Sequence, residues 1–194
     1  MAVQAGDLPS ARARFEQSHG IVQKLAQKSP TSAEAQRDLS ISLSKLGDVA
    51  VQAGDLPSAR ARFEQSLGIR QKLAQENPTS AEAQRDLSIS LSQLGDVAVQ
   101  AGDLPSARAR FEQSLGIRQK LAQENPTSAE AQRDLSISLS KLGGVAVLTR
   151  DLPAAKARLE ECVSILKKLA QRGAITPSDR QLLDQLEGIL QLLP

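Results

Sequence analysis

The sequence predicts an all-α protein, an α-solenoid of antiparallel helix pairs with about eight helices. Three observations carry that expectation. The stretch AVQAGDLPSARARFEQS begins at Ala2, Ala50 and Ala98 and returns in altered form at Ala146, a spacing of 48 residues each time. A fixed period of this size marks a stacked repeat rather than a single-core domain. Within each period, apolar residues recur three or four positions apart, as one face of a helix requires. Cap and turn residues separate these stripes so tightly that neighbouring helices must run antiparallel.

Each period contains two helical segments. In the unit beginning at Thr79, Thr79 and Glu82 read as a capping box after Pro78. The stripe Ala83, Leu87, Leu91, Leu94, Ala98 and Ala101 follows. Leu87-Ser88-Ile89-Ser90-Leu91-Ser92 also alternates as a half-buried strand would, but the flanking caps and the long stripe select helix. Gly102 supplies the helix stop, and Asp103 with Pro105 starts the second segment. That segment directs Leu104, Ala107, Phe111, Leu115, Leu121 and Ala122 to the core and ends before Pro126. Each helix has about 20 residues, or roughly 30 Å.

In chain order, helices are expected near 8–28, then as pairs at 31–53/56–76, 79–101/104–124 and 127–149/152–172. The last, near 177–192, has Thr176 as cap, Pro177 in its first turn and Asp179 at its third position. The expected organisation is one solenoid over 1–194. It comprises a half repeat 1–30, repeats 31–78, 79–126 and 127–175, and a C-terminal capping helix 176–194. Met1–Gly6 reads as the last turn of a first-type helix. Copies 50–97 and 98–145 differ at two positions, and 2–49 differs from 50–97 at five, among them His19/Leu67, Val22/Arg70 and Lys28/Glu76. Recent duplication or deliberate consensus design would each leave such identity.

The motif residues Leu91, Leu94-Gly95, Gly102, Ala107 and Phe111, with their counterparts Leu43, Leu46-Gly47, Gly54, Ala59 and Phe63, resemble the tetratricopeptide repeat. The fourth copy keeps Leu139, Leu142-Gly143 and Ala155 but has Leu159 for Phe. Two features depart from that family. Ala50, Ala98 and Ala146 stand where an aromatic is usual, and the period is 48, which adds close to two turns to each helix. The pattern is similar to the long-helix variants of kinesin light chain and of bacterial arrays. The resemblance implies a binding scaffold whose first-type helices line a concave face.

Composition narrows the function classes. Twenty-four basic residues face 22 acidic ones, so no field marks a nucleic-acid partner. Phe15, Phe63 and Phe111 are the only aromatics. The single cysteine, Cys162, forms no internal disulfide and suits a reducing, cytoplasmic setting. No apolar run of about 18 residues is present, so no membrane partner is expected. His19 is the only histidine and has no second histidine or cysteine nearby to share a metal. No phosphate loop, zinc-protease motif or nucleophile elbow appears, so neither enzymatic activity nor a cofactor is expected. Gly68 and Gly116 sit inside helices at a cost of about 1 kcal/mol each, which suggests a close helix contact.

Projected on the concave face, the repeats give ladders of one residue type: Arg37, Ile41, Ser44, Asp48 and Gln52; Arg85, Ile89, Ser92, Asp96 and Gln100; Arg133, Ile137 and Ser140. These are the candidate partner-binding residues, with Ile giving apolar contact and Arg and Asp giving direction to a protein or peptide segment. The Lys/Asn clamp that some relatives use for a terminal carboxylate is absent, since Ser44/Ser92 and Asp48/Asp96 hold those places. A homo-oligomer is the second expectation. The helix near 8–28 lacks its usual partner, and Leu182, Leu183, Leu186, Ile189, Leu190 and Leu193 make the last helix strongly apolar.

Overall fold

The computed structural model describes residues 8–193 and contains eight helices among them: α1 Leu8–Lys28, α2 Ala33–Gln52, α3 Leu56–Glu76, α4 Ala81–Gln100, α5 Leu104–Glu124, α6 Ala129–Leu148, α7 Leu152–Gln171 and α8 Pro177–Leu192. The last turn of a first-type helix expected at Met1–Gly6 lies outside the described residues. The chain divides into two compact units, one ending at Ala101 and the other starting at Gly102. In the first, α1 packs on α2, α2 on α3 and α3 on α4; in the second, α5 packs on α6, α6 on α7 and α7 on α8. Within each unit the helices stack in chain order, as the all-α helical-repeat reading requires.

Local chemistry sets the boundaries. Asp55, Asp103 and Asp151 each accept the backbone N–H three residues on and open a second-type helix with proline in its first turn. Gly54 has φ +74, and Asp55 N–H donates to the Ala50 carbonyl at 2.9 Å while Gly54 N–H donates to that of Val51 at 3.0 Å. That pair of bonds closes α2 around a left-handed residue. The α6–α7 turn makes the same two bonds with Arg150 in the left-handed place, at φ 60. α8 opens on Thr176 and Asp179 with both capping-box bonds formed.

One cap differs from expectation. Ser80, not Thr79, caps α4, accepting from Ala83 N–H at 3.2 Å; Ser32 and Ser128 do the same for α2 and α6. Ser80 N–H donates to the Asn77 carbonyl, so Asn77–Ser80 is a closed turn and Thr79 is used up inside it. The helix therefore starts at Ala81, and Glu82 turns instead toward Arg37 at 3.1 Å.

The motif residues form the pair contacts. Ala59 and Phe63 are buried, and a Cβ built on Gly47 would lie 2.5–2.8 Å from three Phe63 ring atoms. Gly47 therefore lets the ring lie against the α2 backbone. Gly143 and Leu159 repeat the contact between α6 and α7. Gly68 and Gly116 correct an expectation, because a Cβ on either would meet nothing within 4 Å. No close helix contact explains them.

Candidate partner-binding face

The interior of each unit carries a polar seam. In the first unit, Ser66 Oγ donates to the Ser40 carbonyl at 2.9 Å and lies 3.0 Å from Ser44 Oγ and 3.4 Å from Ser90 Oγ. Arg70 crosses it. Its Nε donates to Ser40 Oγ at 3.0 Å, and its Nη1 donates to Ser90 Oγ at 3.0 Å and to the Asp86 carbonyl at 3.2 Å. Only 4% of Arg70 is exposed, and burial pushes its pKa down although Asp86 opposes the shift. In the second unit Arg118 Nη1 donates to Ser138 Oγ and to the Asp134 carbonyl. Buried cations survive only when such bonds replace their water.

The arginine ladder is engaged within the protein. Arg37 Nε lies 2.6 Å from Asp86 Oδ2 across α2 and α4, and that hydrogen bond is the main cause of its raised pKa. Arg133 Nε lies 2.8 Å from Asp179 Oδ2, and its Nη2 donates to the Ala174 carbonyl at 3.1 Å. Burial alone would lift the Asp179 pKa, but bonds from Arg133 and from Thr176 outweigh it and hold it below the usual range. Arg85 is half-buried and also engaged.

The remaining candidates divide by burial. Ser44 and Ser92 are buried, and Ser140 is half-buried. Ile41, Ile89 and Ile137 are half-buried; Asp48, Gln52 and Gln100 are exposed; Asp96 is half-buried and engaged. Gln93 joins the α2 and α4 members by accepting from Ser44 Oγ at 3.2 Å and donating to Asp48 at 3.3 Å. Desolvation raises the Asp48 pKa despite that bond. The first unit thus brings the α2 and α4 ladders together, whereas Arg133, Ile137 and Ser140 belong to the second unit.

Sequence reasoning missed Asp86 and Arg70. The signal for Arg70 was present: α3 and α5 carry Arg70 and Arg118 where α1 and α7 carry Val22 and Leu166.

The residues considered for chemistry are occupied otherwise. His19 Nδ1 lies 2.9 Å from Ser42 Oγ, and desolvation, then Arg62, lower its pKa. Cys162 is fully buried, donates to the Ser136 carbonyl, and has its pKa pushed by burial up to about 12. Among the described residues no group of three or more His, Cys, Asp or Glu side chains is placed to hold a metal. No described helix is long and apolar enough to cross a membrane.

The glycine-to-phenylalanine contact and the Gly54 turn are what the repeat motif demands of a chain, and comparison agrees. Residues 41–120 match the tetratricopeptide repeat family. The resemblance read from the residues is borne out over that stretch. Among solved structures, BtubC (BKLC) from P. vanneervenii is similar at 16% identity, covering 98% of this chain and 84% of that one with a TM-score of 0.55. A kinesin light chain of Podosopora anserina with nearly identical TPR-like repeats aligns at 17% identity over 92% of this chain and 95% of that one, TM-score 0.40. At 16% identity the likeness to BtubC is one of fold. No curated protein matches the sequence.

Proposed function

We propose that the chain is a non-catalytic interaction scaffold, a single continuous solenoid that binds a peptide or partner helix along the concave face of its first-type helices, in the cytoplasm. Tetratricopeptide repeats generally serve protein–protein interaction, and residues 41–120 are of that family. The observation that carries the finer reading is the division of labour in the ladders. Arg37 and Ser44 are spent on internal bonds, while Ile41, Asp48, Gln52, Ile89 and Gln100 keep surface for a ligand. Partner affinity therefore rests on these five, and the arginines support the face from behind. Panning a displayed random-peptide library against the chain tests this. Enriched peptides should bind the parent and lose about tenfold in affinity to the Ile41→Ala/Ile89→Ala double variant, the loss of roughly 1.4 kcal/mol. Failure to enrich any peptide, or equal binding to the variant, overturns the reading.

A second reading, self-association, has its own observation. Ile21 and Leu25 on α1 are 58% and 55% exposed, whereas Leu73 and Leu121, at the place of Leu25 in α3 and α5, are 9% exposed. Burying two such side chains between copies contributes about 3 kcal/mol or more. Light scattering across a concentration series decides it: a dimer that Leu25→Glu dissociates supports the reading, and a monomer at every concentration removes it.

A further inference from the structure

Between the first turns of α2 and α4 lies a cleft of about 360 Å3 whose floor is α3, at Arg70, Leu73 and Asn77. The guanidinium of Arg70 has five N–H donors. Its Nε and Nη1 are bound to Ser40, Ser90 and the Asp86 carbonyl. Among the described residues its Nη2 has no acceptor, and no buried side-chain nitrogen or oxygen there lacks a partner. Nη2 therefore opens on the cleft that Arg70 lines. Arg70, 4% exposed and held by three bonds, thus contributes a donor to the lining of the cleft.

The rest of the lining selects the ligand. Arg37 is consumed by Asp86 and Glu82. Glu34, exposed in the first turn of α2, lines the same cleft with no ion pair to Lys or Arg among the described residues. Two cations, Arg37 and Arg70, thus face three carboxylates, Glu34, Glu82 and Asp86. A free anion gains no net field from this set, and a free cation would meet the desolvated Arg70. The complement of one open donor below and one open acceptor at the rim is a neutral group carrying both. We propose that the cleft is a carboxamide subsite that takes the side chain of Asn or Gln from a partner segment, its carbonyl accepting from Arg70 Nη2 and its amide N–H donating to Glu34. The subsite rests on the scaffold reading for its biological use, and it gives that reading a sequence preference. It is absent where Val22 and Leu166 replace the arginine.

The test uses the full chain with labelled arginine side chains, observed by NMR. The probes are the blocked pentapeptide Ala-Ala-Gln-Ala-Ala and its counterparts with Glu, Lys or Ala at the centre. The Gln peptide should shift the Arg70 guanidinium signals saturably, and the other three should bind at least about fivefold more weakly, because a site built for a hydrogen-bonding group rejects analogues that lack it. Arg70→Leu, which installs the residue of the fourth copy, should abolish the Gln preference. Glu34→Ala, at an exposed position that leaves the seam intact, should erase most of it in a fully folded chain. Equal shifts from the Ala peptide, no shift from the Gln peptide, or a preference that survives Glu34→Ala overturns the subsite. Such a result leaves the scaffold reading standing, since the display experiment needs neither Arg70 nor an amide.

Discussion

Two glycines in one unit should respond to the same substitution with opposite signs. Gly47→Ala places a methyl group 2.5–2.8 Å from Cδ1, Cε1 and Cζ of Phe63. The ring cannot swing aside, because Phe63 is 2% exposed and neighbouring Ala59 is fully buried. Overpacking of this kind costs about 1–3 kcal/mol, and the helix propensity of alanine returns at most about 1 kcal/mol. With that gain realised in full, the net expectation is a loss of up to about 2 kcal/mol. Gly68→Ala adds its methyl where nothing lies within 4 Å, so propensity acts alone and gains about 0.5–1 kcal/mol. Thermal unfolding followed by far-ultraviolet circular dichroism separates them, at about 2–4 °C per kcal/mol for a chain of this length. If both variants gain stability, the α2–α3 contact is loose enough to absorb a methyl. In that case the role assigned to Gly47 is wrong.

Other consequences are as specific. Arg150→Gly relieves a side chain from the left-handed region and should stabilise the chain by about 1 kcal/mol; a loss on urea unfolding would mean that the Arg150 side chain stabilises more than its backbone costs. Cys162 is held protonated up to about pH 12, whereas an unfolded thiol ionises near 8.5. A raised folded pKa leaves stability intact below the unfolded value and removes it as pH climbs toward the folded one. Stability should therefore fall by about 1.4 kcal/mol per pH unit between these limits, and Cys162→Ser, the residue of the sister copies, should lack that extra slope in alkaline melts. The Arg37–Asp86 pair, with side chains 37% and 10% exposed, should show a coupling of about 1 kcal/mol in a double-mutant cycle with Ala after allowance for solvent screening; zero coupling would reduce the pair to a surface contact.

Helices, turns and the Gly54 and Thr176 caps were legible because each is local: the residues that decide them lie within five positions of one another. The ladder residues were legible as positions, but the internal ion pairs of Arg37 and Arg133 were not. Near-identical copies make Arg37 look the same whether it faces solvent or reaches Asp86, since the period hides which copy supplies a neighbour. The seam was hidden for a different reason. Ser88, Ser90 and Ser92 read as the polar half of an alternation, yet all three are buried, with Ser90 bonded to the next helix through Ser66 and Arg70. Ser88 Oγ donates to the Arg85 carbonyl at 2.7 Å. Hydrophobic periodicity counts such residues as exposed, and only the pairing of Ser66 with Arg70 against Ser40 and Ser90 shows otherwise.

The seam also explains why the fourth copy departs from the others where it does. The Arg133–Asp179 bridge corresponds to Arg37–Asp86, which sets Leu183 of α8 at the place of Ser90 and Ser138, four residues past the aspartate. On α7, Cys162 and Leu166 stand at the places of Ser66 and Arg70. All three replacements are buried, and they occur together: the serine, the arginine and the facing serine are exchanged for a thiol and two leucines. A single exchange would leave a guanidinium against leucine, or an open serine against an apolar wall, at about 1–3 kcal/mol for each unsatisfied group. Drift without constraint would not have coordinated the three. The outer side of α8 changes in the opposite sense. Asp184, Glu187 and Gly188 stand where α6 presents Leu139, Leu142 and Gly143 to α7. The seam that seats α8 is thus fixed in its apolar form, while two carboxylates replace the leucines on that side and Ile189 and Leu192 stay exposed in the last turn.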